Sequence, residues 1–510
     1  MVASGNKTGR RVLITATVIL IVIHFAALTT IMCARVAAFD TPTYDMGLFT
    51  QMFHYMLRTG RALTTLERDM LLSHFQVHMS PIYYLYLPFF ALFPSAYTLQ
   101  ILQTFTVLLA LYPLSLILRR YTSLSLPWRA AIYLMYVFAP GITGSSFYDL
   151  HENCFLPLCL FFLLEGQLAN SKRKVFFWTA LTLLIKEDAM IYVFFIGAYS
   201  LFCLQGRNFG RCSGKLSVRI YASVRQTLRQ EWWRLLLNVI LPLVYFSAVV
   251  YYLNHYGQGA MVNRFDNLLL PGQHGLVQAA FNLILHPFFI LEQIFTSAKI
   301  RYLTAVLAAM AFLPLWQYRL ANYCLLCPFI VMNLLSNYQY QHSLVFQYNY
   351  GTGALLIYLT AVSLEAILLH GRDNRGSQDS WDIRRTILSL LVCLGLFSSF
   401  LTTSSLLRHH AASLHVYNSA RDKYQTLART LSSLPRDKKI LADTLLTTAL
   451  ADVPELYDLE YHRSGLPDRT IDYVVAFRNG ENETVIAYKK AGYIENDYSN
   501  HYLIVLQKNA

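Results

Sequence analysis

Charge is what this sequence has least of. Only 14% of its 510 residues are Asp, Glu, Lys or Arg, against about 25% in an ordinary soluble domain. The few charges are clustered, so long stretches carry almost none. That excludes a conventional soluble fold, because apolar runs of roughly 18 residues or more read as membrane spans. Such runs recur from "VLITATVILIVIHFAALTTIMCA" (12–34) to "TILSLLVCLGLFSSFLTTSSLL" (386–407). Cysteine is scarce as well: eight are present and none follows Cys393. The C-terminal segment therefore has no disulfides, even if it faces an oxidising compartment. Cys324 and Cys327, in "CLLC", sit inside an apolar run and read as small buried residues rather than a redox or metal pair. The tail has no glycine-rich phosphate loop, which argues against a nucleotide site there. Neither an internal repeat nor a low-complexity tract is present.

The net charge of +13 raises the question of a nucleic-acid partner, and the positions of the charges answer against it. Basic runs such as "KTGRR", "LRRYTSLSLPWR" and "NSKRK" lie between apolar runs, where cytoplasmic loops collect Lys and Arg. Membrane lipids with anionic headgroups are the natural partners of such loops. With the N-terminus inside, the first apolar run is too long for a signal-peptide core and reads as an uncleaved span. Residues 35–94 then form an outer loop with interfacial helices, since "PIYYLYLPFFALF" (81–93) is too short to cross. The run 175–202 lies between two inside-type loops and folds back as a hairpin tipped by Lys186, Glu187 and Asp188. Residues 254–299 form a second outer segment. The result is a polytopic α-helical membrane domain over 1–405 with about eleven transmembrane helices. Its inside segments hold 21 Lys and Arg and its outside segments 8. From 406 to 510 the pattern changes to a small extracytoplasmic α/β domain. There "DKKILADTLLTTALADVPELYDLEYH" reads as strand, helix and short strand, followed by strand-like runs in "RTIDYVVAF", "ETVIAYKKAGY" and "HYLIVLQK".

This topology gathers the scarce polar groups on one side. Asp45, the pair His74 and His78, the turn Asp149, His151 and Glu152, and the tip Lys186, Glu187 and Asp188 all fall at the outer face. Ionisable residues at membrane depth are costly and by default mark a functional site. Each also has a plain structural reading. Asp45 follows Pro42 and reads equally as a helix N-cap. His74 and His78 at i, i+4 suit a metal or simple interfacial hydrogen bonding. The 149–152 turn reads also as a solvated connection, and Lys186 beside two acids as a self-neutralising buried cluster.

The stretches "YDMGLFTQMFHY", "HFQVHMSPIYYLYLPFFALFPSAYTLQILQTF", "FYDLHENCFLPLCLFFL" and "LLIKEDAMIYVFF" resemble, in that order, the bacterial membrane-protein family called domain of unknown function 2079. "LADTLLTTALADVPELY" and "IDYVVAF" are similar to that family's exported tail. The resemblance implies a GT-C-like fold, that of polytopic glycosyltransferases using polyprenyl-phosphate sugars, in a bacterial cytoplasmic membrane. It implies a catalytic Asp in the first outer loop, the place Asp45 occupies. The partners implied are a polyprenyl-phosphate sugar lipid and a glycan, lipid or protein acceptor.

The residues fit that chemistry. A phosphate leaving group departs without protonation, so the reaction needs one base and a cationic partner, whereas a glycosidase needs two carboxylates. Asp45 is the expected base of an inverting transfer, with Glu152 and Glu187 the other catalytic candidates. Lys186 and Arg264 are expected at the donor phosphate. Asp149, His151, Asp188 and His342 are expected to line the substrate, His342 within the aromatic-rich loop "SNYQYQHSLVFQYNYG". If a divalent metal ion takes part, His74 and His78 are its expected ligands, with His151 and Glu152 beside them. A transporter would instead gather charge at the midplane between repeated halves, and a non-catalytic scaffold would keep the fold without turnover.

Overall fold

The structure, a computed structural model, describes residues 7–211, 216–259, 262–373, 378–462, 467–478 and 483–509. The chain divides into two compact units that interleave in sequence. One comprises residues 1–25, 105–148 and 152–406; the other comprises 26–104, 149–151 and 407–510. The segment that follows the first long apolar helix therefore clusters with the C-terminal tail.

The first unit is helical because its segments are apolar on every side, as a lipid-facing helix must be. Among the described residues, six helices are long and apolar enough to cross a membrane. They are Lys7–Ala37, Ala96–Arg120, Glu187–Leu204, Tyr221–Tyr256, Asn349–His370 and Asp382–Ser419. The pair Leu276–Leu285 and Pro287–Ile294, bent by 106°, makes a seventh if it counts as one span. The sequence pattern suggests more spans because several apolar runs are broken. The run at 129–147 is two helices, Leu126–Phe138 and Pro140–Ser145. Proline disfavours helical geometry in the residue before it, and Ala139 accordingly sits at φ −59°, ψ 124°. Carbonyls freed by the break find donors within the unit. The Phe138 carbonyl accepts from the Ser399 hydroxyl at 2.5 Å and the Thr403 hydroxyl at 2.7 Å, and Val137 accepts from Thr143 at 2.7 Å. The hairpin run 175–202 is likewise split, into Lys172–Leu183 and Met190–Arg211, with Lys186 in extended geometry between them.

In the second unit, a short antiparallel pair, β1 (Leu63–Thr64) and β2 (Leu72–Ser73), follows helix Leu48–Thr59. The tail holds β3 (Ile440–Ala442), β4 (Leu456–Asp458), β5 (Tyr473–Phe477), β6 (Tyr493–Glu495) and β7 (Leu503–Lys508), in sheet order β4-β3-β5-β7-β6. The three strands on the β4 side run parallel, and β7 and β6 are each antiparallel to their neighbours. The fully buried runs of β3 and most of β5 suit a sheet covered on both faces. The stretch "ETVIAYKK" departs from its strand-like reading and forms helix Glu483–Lys490. Val485 and Tyr488 bury one face at helical spacing, and the acidic start and basic end match the helix dipole. Gly492, at φ +95°, then turns the chain into β6.

Candidate functional site

Asp45 lies inside a π-helical turn, Thr43–Gly47, that leads into helix Leu48–Thr59. The N-cap of that helix is Gly47, so Asp45 does not serve as the cap. Its side chain is half-buried. The turn carrying it is fastened to the tail. The fully buried Thr43 hydroxyl donates to the Asp458 carboxylate and lies 2.8 Å from the Thr447 hydroxyl. Thr444 donates to the same Asp458 oxygen. The other Asp458 oxygen accepts from the backbone N–H groups of Glu460 at 2.8 Å and Tyr461 at 3.3 Å. Gly47 abuts this contact so closely that a Cβ there would stand 2.6 Å from the Thr447 hydroxyl. Tyr44 packs edge-on against Tyr461, with ring centres 4.8 Å apart. One turn along the helix, the buried Gln51 amide donates to the carbonyls of Val453 and Pro454, both at 3.2 Å. Tyr55 adds a bond to Pro454 at 2.9 Å.

The same unit assembles the imidazoles and Asp149. His74 opens a 3-10 turn, His74–Gln76, rather than the full helix that i, i+4 spacing suggests. Ser73 and Gln76 close a capping box that fixes the start of this turn. Nδ1 of His74 faces the Glu67 carboxylate at 3.0 Å. Phe49 packs edge-on to both His74 and His151, and the His78 ring lies 6.0 Å from that of His74. The Asp149 carboxylate is buried and accepts from Arg35 at 2.9 Å and Gln100 at 3.0 Å. Burial pushes its pKa upward, against the pull of the Arg35 charge and the Gln100 bond. The His151 backbone N–H is held by the Gln103 side chain at 2.9 Å. Gln100 and Gln103 were not among the sequence candidates. Their signal was present, as two amides three residues apart within an apolar span.

The first unit brings together Glu152 and Lys186. Nζ of Lys186 lies 2.9 Å from Oε1 of Glu152, with both side chains at most 3% exposed. Glu187 and Asp188 add two carboxylates beside them, and Asp188 lies within electrostatic reach of Glu152, Lys186 and Arg264. The Arg264 guanidinium stands 4.4 Å over the Tyr338 ring and donates to the Tyr348 hydroxyl at 3.1 Å. His342 ends the 3-10 turn Gln339–His342 with a buried Nδ1 that has no hydrogen-bond partner among the described residues. Burial, reinforced by the Lys299 charge, holds that imidazole below its ordinary pKa. The candidates thus form two sets. Asp45, His74, His78, Asp149 and His151 belong to the second unit, and Glu152, Lys186, Glu187, Asp188, Arg264 and His342 to the first.

Among the described residues no group of three or more His, Cys, Asp or Glu side chains is arranged to hold a metal ion. The donor set expected for a metal is divided between a Glu67-bound imidazole and a Lys186-bound carboxylate. These residues do not fit a metal centre.

A family model described as "Predicted membrane protein (DUF2079)" matches residues 35–509. No curated protein matches the chain. Among solved structures, the chain is similar to ArnT from Cupriavidus metallidurans bound to undecaprenyl phosphate. They share 14% identity and a TM-score of 0.47, over 97% of this chain and 98% of that one. The apo form of ArnT gives 13% identity and a TM-score of 0.43, over 96% and 98%. The oligosaccharyltransferase AglB from Archaeoglobus fulgidus, in complex with an inhibitory peptide and a dolichol-phosphate, gives 10% and 0.42, over 89% and 69%.

Proposed function

We propose a function from the premise that this chain belongs to the membrane-protein family DUF2079. It transfers a sugar from a polyprenyl-phosphate carrier to an acceptor hydroxyl at the outer face of the membrane. The observation that carries the reading is Asp45. It is a half-buried carboxylate in a turn whose neighbours on both sides are pinned by buried hydrogen bonds. A general base must be held within hydrogen-bond reach of the proton it takes, and a turn fastened at Thr43 and Gln51 has little freedom to wander.

In the proposed step Asp45 accepts the proton of the acceptor hydroxyl. The acceptor oxygen forms a bond to the anomeric carbon while the bond from that carbon to the phosphate oxygen breaks. The configuration inverts, and polyprenyl phosphate leaves with the bonding electrons. The leaving group gathers negative charge, which fixed cations stabilise best in a dry setting. Lys186 and Arg264 are the cations we assign to it. Lys186 is a strong candidate because its ammonium is buried, and a buried charge interacts strongly with whatever enters beside it. Its pairing with Glu152 is the contact that a phosphate would compete with. Glu152 and Glu187 are the alternative acids of the site.

The test is the lipid that accompanies the protein. Full-length chain extracted in mild detergent is delipidated with organic solvent, and the extract is read by mass spectrometry. A polyprenyl phosphate or its glycosylated form, enriched over the bulk membrane extract, is expected. An extract with the bulk lipid composition alone contradicts the reading.

A further inference from the structure

Between the first outer segment and the tail, within the second unit, lies a cavity of about 320 Å³ that the chemistry above does not use. Small-molecule sites span roughly 300–1,000 Å³, so this one suits a single ring rather than an extended chain. Its walls are largely apolar, with polar groups at a few places. His54 projects from helix Leu48–Thr59, half-buried and edge-on to the buried Phe90 ring at 5.1 Å. Neither of its ring nitrogens has a hydrogen-bond partner among the described residues. Across the cavity, Arg436 donates through Nε to Asp452 at 2.9 Å and through Nη1 to the Leu431 carbonyl at 2.9 Å, leaving Nη2 uncommitted. The Ser95 hydroxyl oxygen accepts from the Tyr97 N–H, and its own proton is unassigned. The Tyr97 ring is 40% exposed and borders the same space.

The charge balance selects the ligand. Arg436 is already matched by Asp452, and burial keeps His54 below its ordinary pKa despite the Asp452 charge. A phosphate on the free Nη2 would stand beside the Asp452 carboxylate, whose like charge opposes it. A ring bearing several hydroxyls would instead find unpaired donors and acceptors and one aromatic face, with no net charge to neutralise. Ala37 and Ala96, where two membrane-spanning helices end, also line the cavity, which suits a ring presented at headgroup depth.

We infer that this cavity, walled by His54, Arg436, Asp452, Ser95 and Tyr97, is a binding site for one uncharged pyranose ring. That the ring belongs to the acceptor rests on the glycosyl transfer proposed above; the binding itself does not.

The full chain in phosphatidylcholine nanodiscs is tested by saturation-transfer NMR. The probes are the methyl glycosides of glucose, mannose, galactose and N-acetylglucosamine, with inorganic phosphate as competitor. At least one glycoside is expected to saturate, and phosphate to leave its signal unchanged. Ala449→Phe fills the cavity from an exposed position and is expected to abolish the signal. His54→Leu removes one hydrogen-bonding group and should weaken binding about fivefold. The inference is overturned if no glycoside saturates, if the signal survives Ala449→Phe, or if phosphate displaces the glycoside. Failure of the transfer reading looks different: normal turnover in Asp45→Asn would end that reading and leave the binding result standing.

Discussion

The strongest restraint on the Asp45 turn comes from a threonine. Thr43 offers its one proton to Asp458 and to the Thr444 carbonyl, and a hydrogen bond to a charged partner is worth about 1.5–3 kcal/mol. Thr43→Val keeps the shape and removes the proton. It should lower unfolding free energy by about 1–3 kcal/mol and reduce kcat more than it changes KM, because the base is displaced while substrate contacts remain. Thr43→Ser should restore both. Denaturant titration beside steady-state kinetics on the three proteins checks this, and a stability loss with unchanged kcat would make the contact purely structural. Nothing in the sequence announced this pair. The partners lie 415 residues apart, and a threonine or an aspartate near a turn has many ordinary uses. The Lys186–Glu152 pair was half legible for the opposite reason. Each is an ionisable residue in an apolar stretch, and such residues must find partners. What the sequence could not supply was which acid of several Lys186 would meet.

At the scale of elements, the breaks are as informative as the helices. The turn around Pro140 survives in an apolar setting because Ser399 and Thr403 reach the carbonyl it exposes. Gly144 follows this break, and the chain passes so close that a Cβ there would lie 2.2 Å from the Leu344 carbonyl oxygen. The obstacle is backbone and cannot swing aside. Gly144→Ala should therefore cost about 1–3 kcal/mol of stability by overpacking. A thermal-unfolding comparison with Gly60→Ala supplies the control. Gly60 has open space around it but a left-handed φ of +71°, so its cost is backbone strain alone, about 1 kcal/mol. Equal melting temperatures for Gly144→Ala and the parent would contradict the packing account. These breaks also explain the difference in span number. Apolar length predicts a crossing wherever a run is long enough, whereas proline at 140 divides one such run into two shorter helices.

For the whole molecule, membrane character was legible because it is compositional. The grouping of the outer segment with the tail was not, because it depends on contacts between residues some 400 positions apart, such as Gln51 with Val453 and Pro454. That grouping bears on function. It makes the tail the element that holds the Asp45 turn. The role proposed for Asp45 is that of the base in a glycosyl transfer. It is tested most directly by Asp45→Asn, reconstituted in vesicles with the native lipid extract as donor source, reading release of polyprenyl phosphate. Asn keeps the size of the side chain but cannot take the proton, and general-base catalysis is typically worth 10²–10⁴-fold. The account predicts release slowed by at least about 100-fold, with the melting temperature and the amount of co-purified carrier lipid unchanged. Release at the parent rate from a folded Asp45→Asn protein would contradict it.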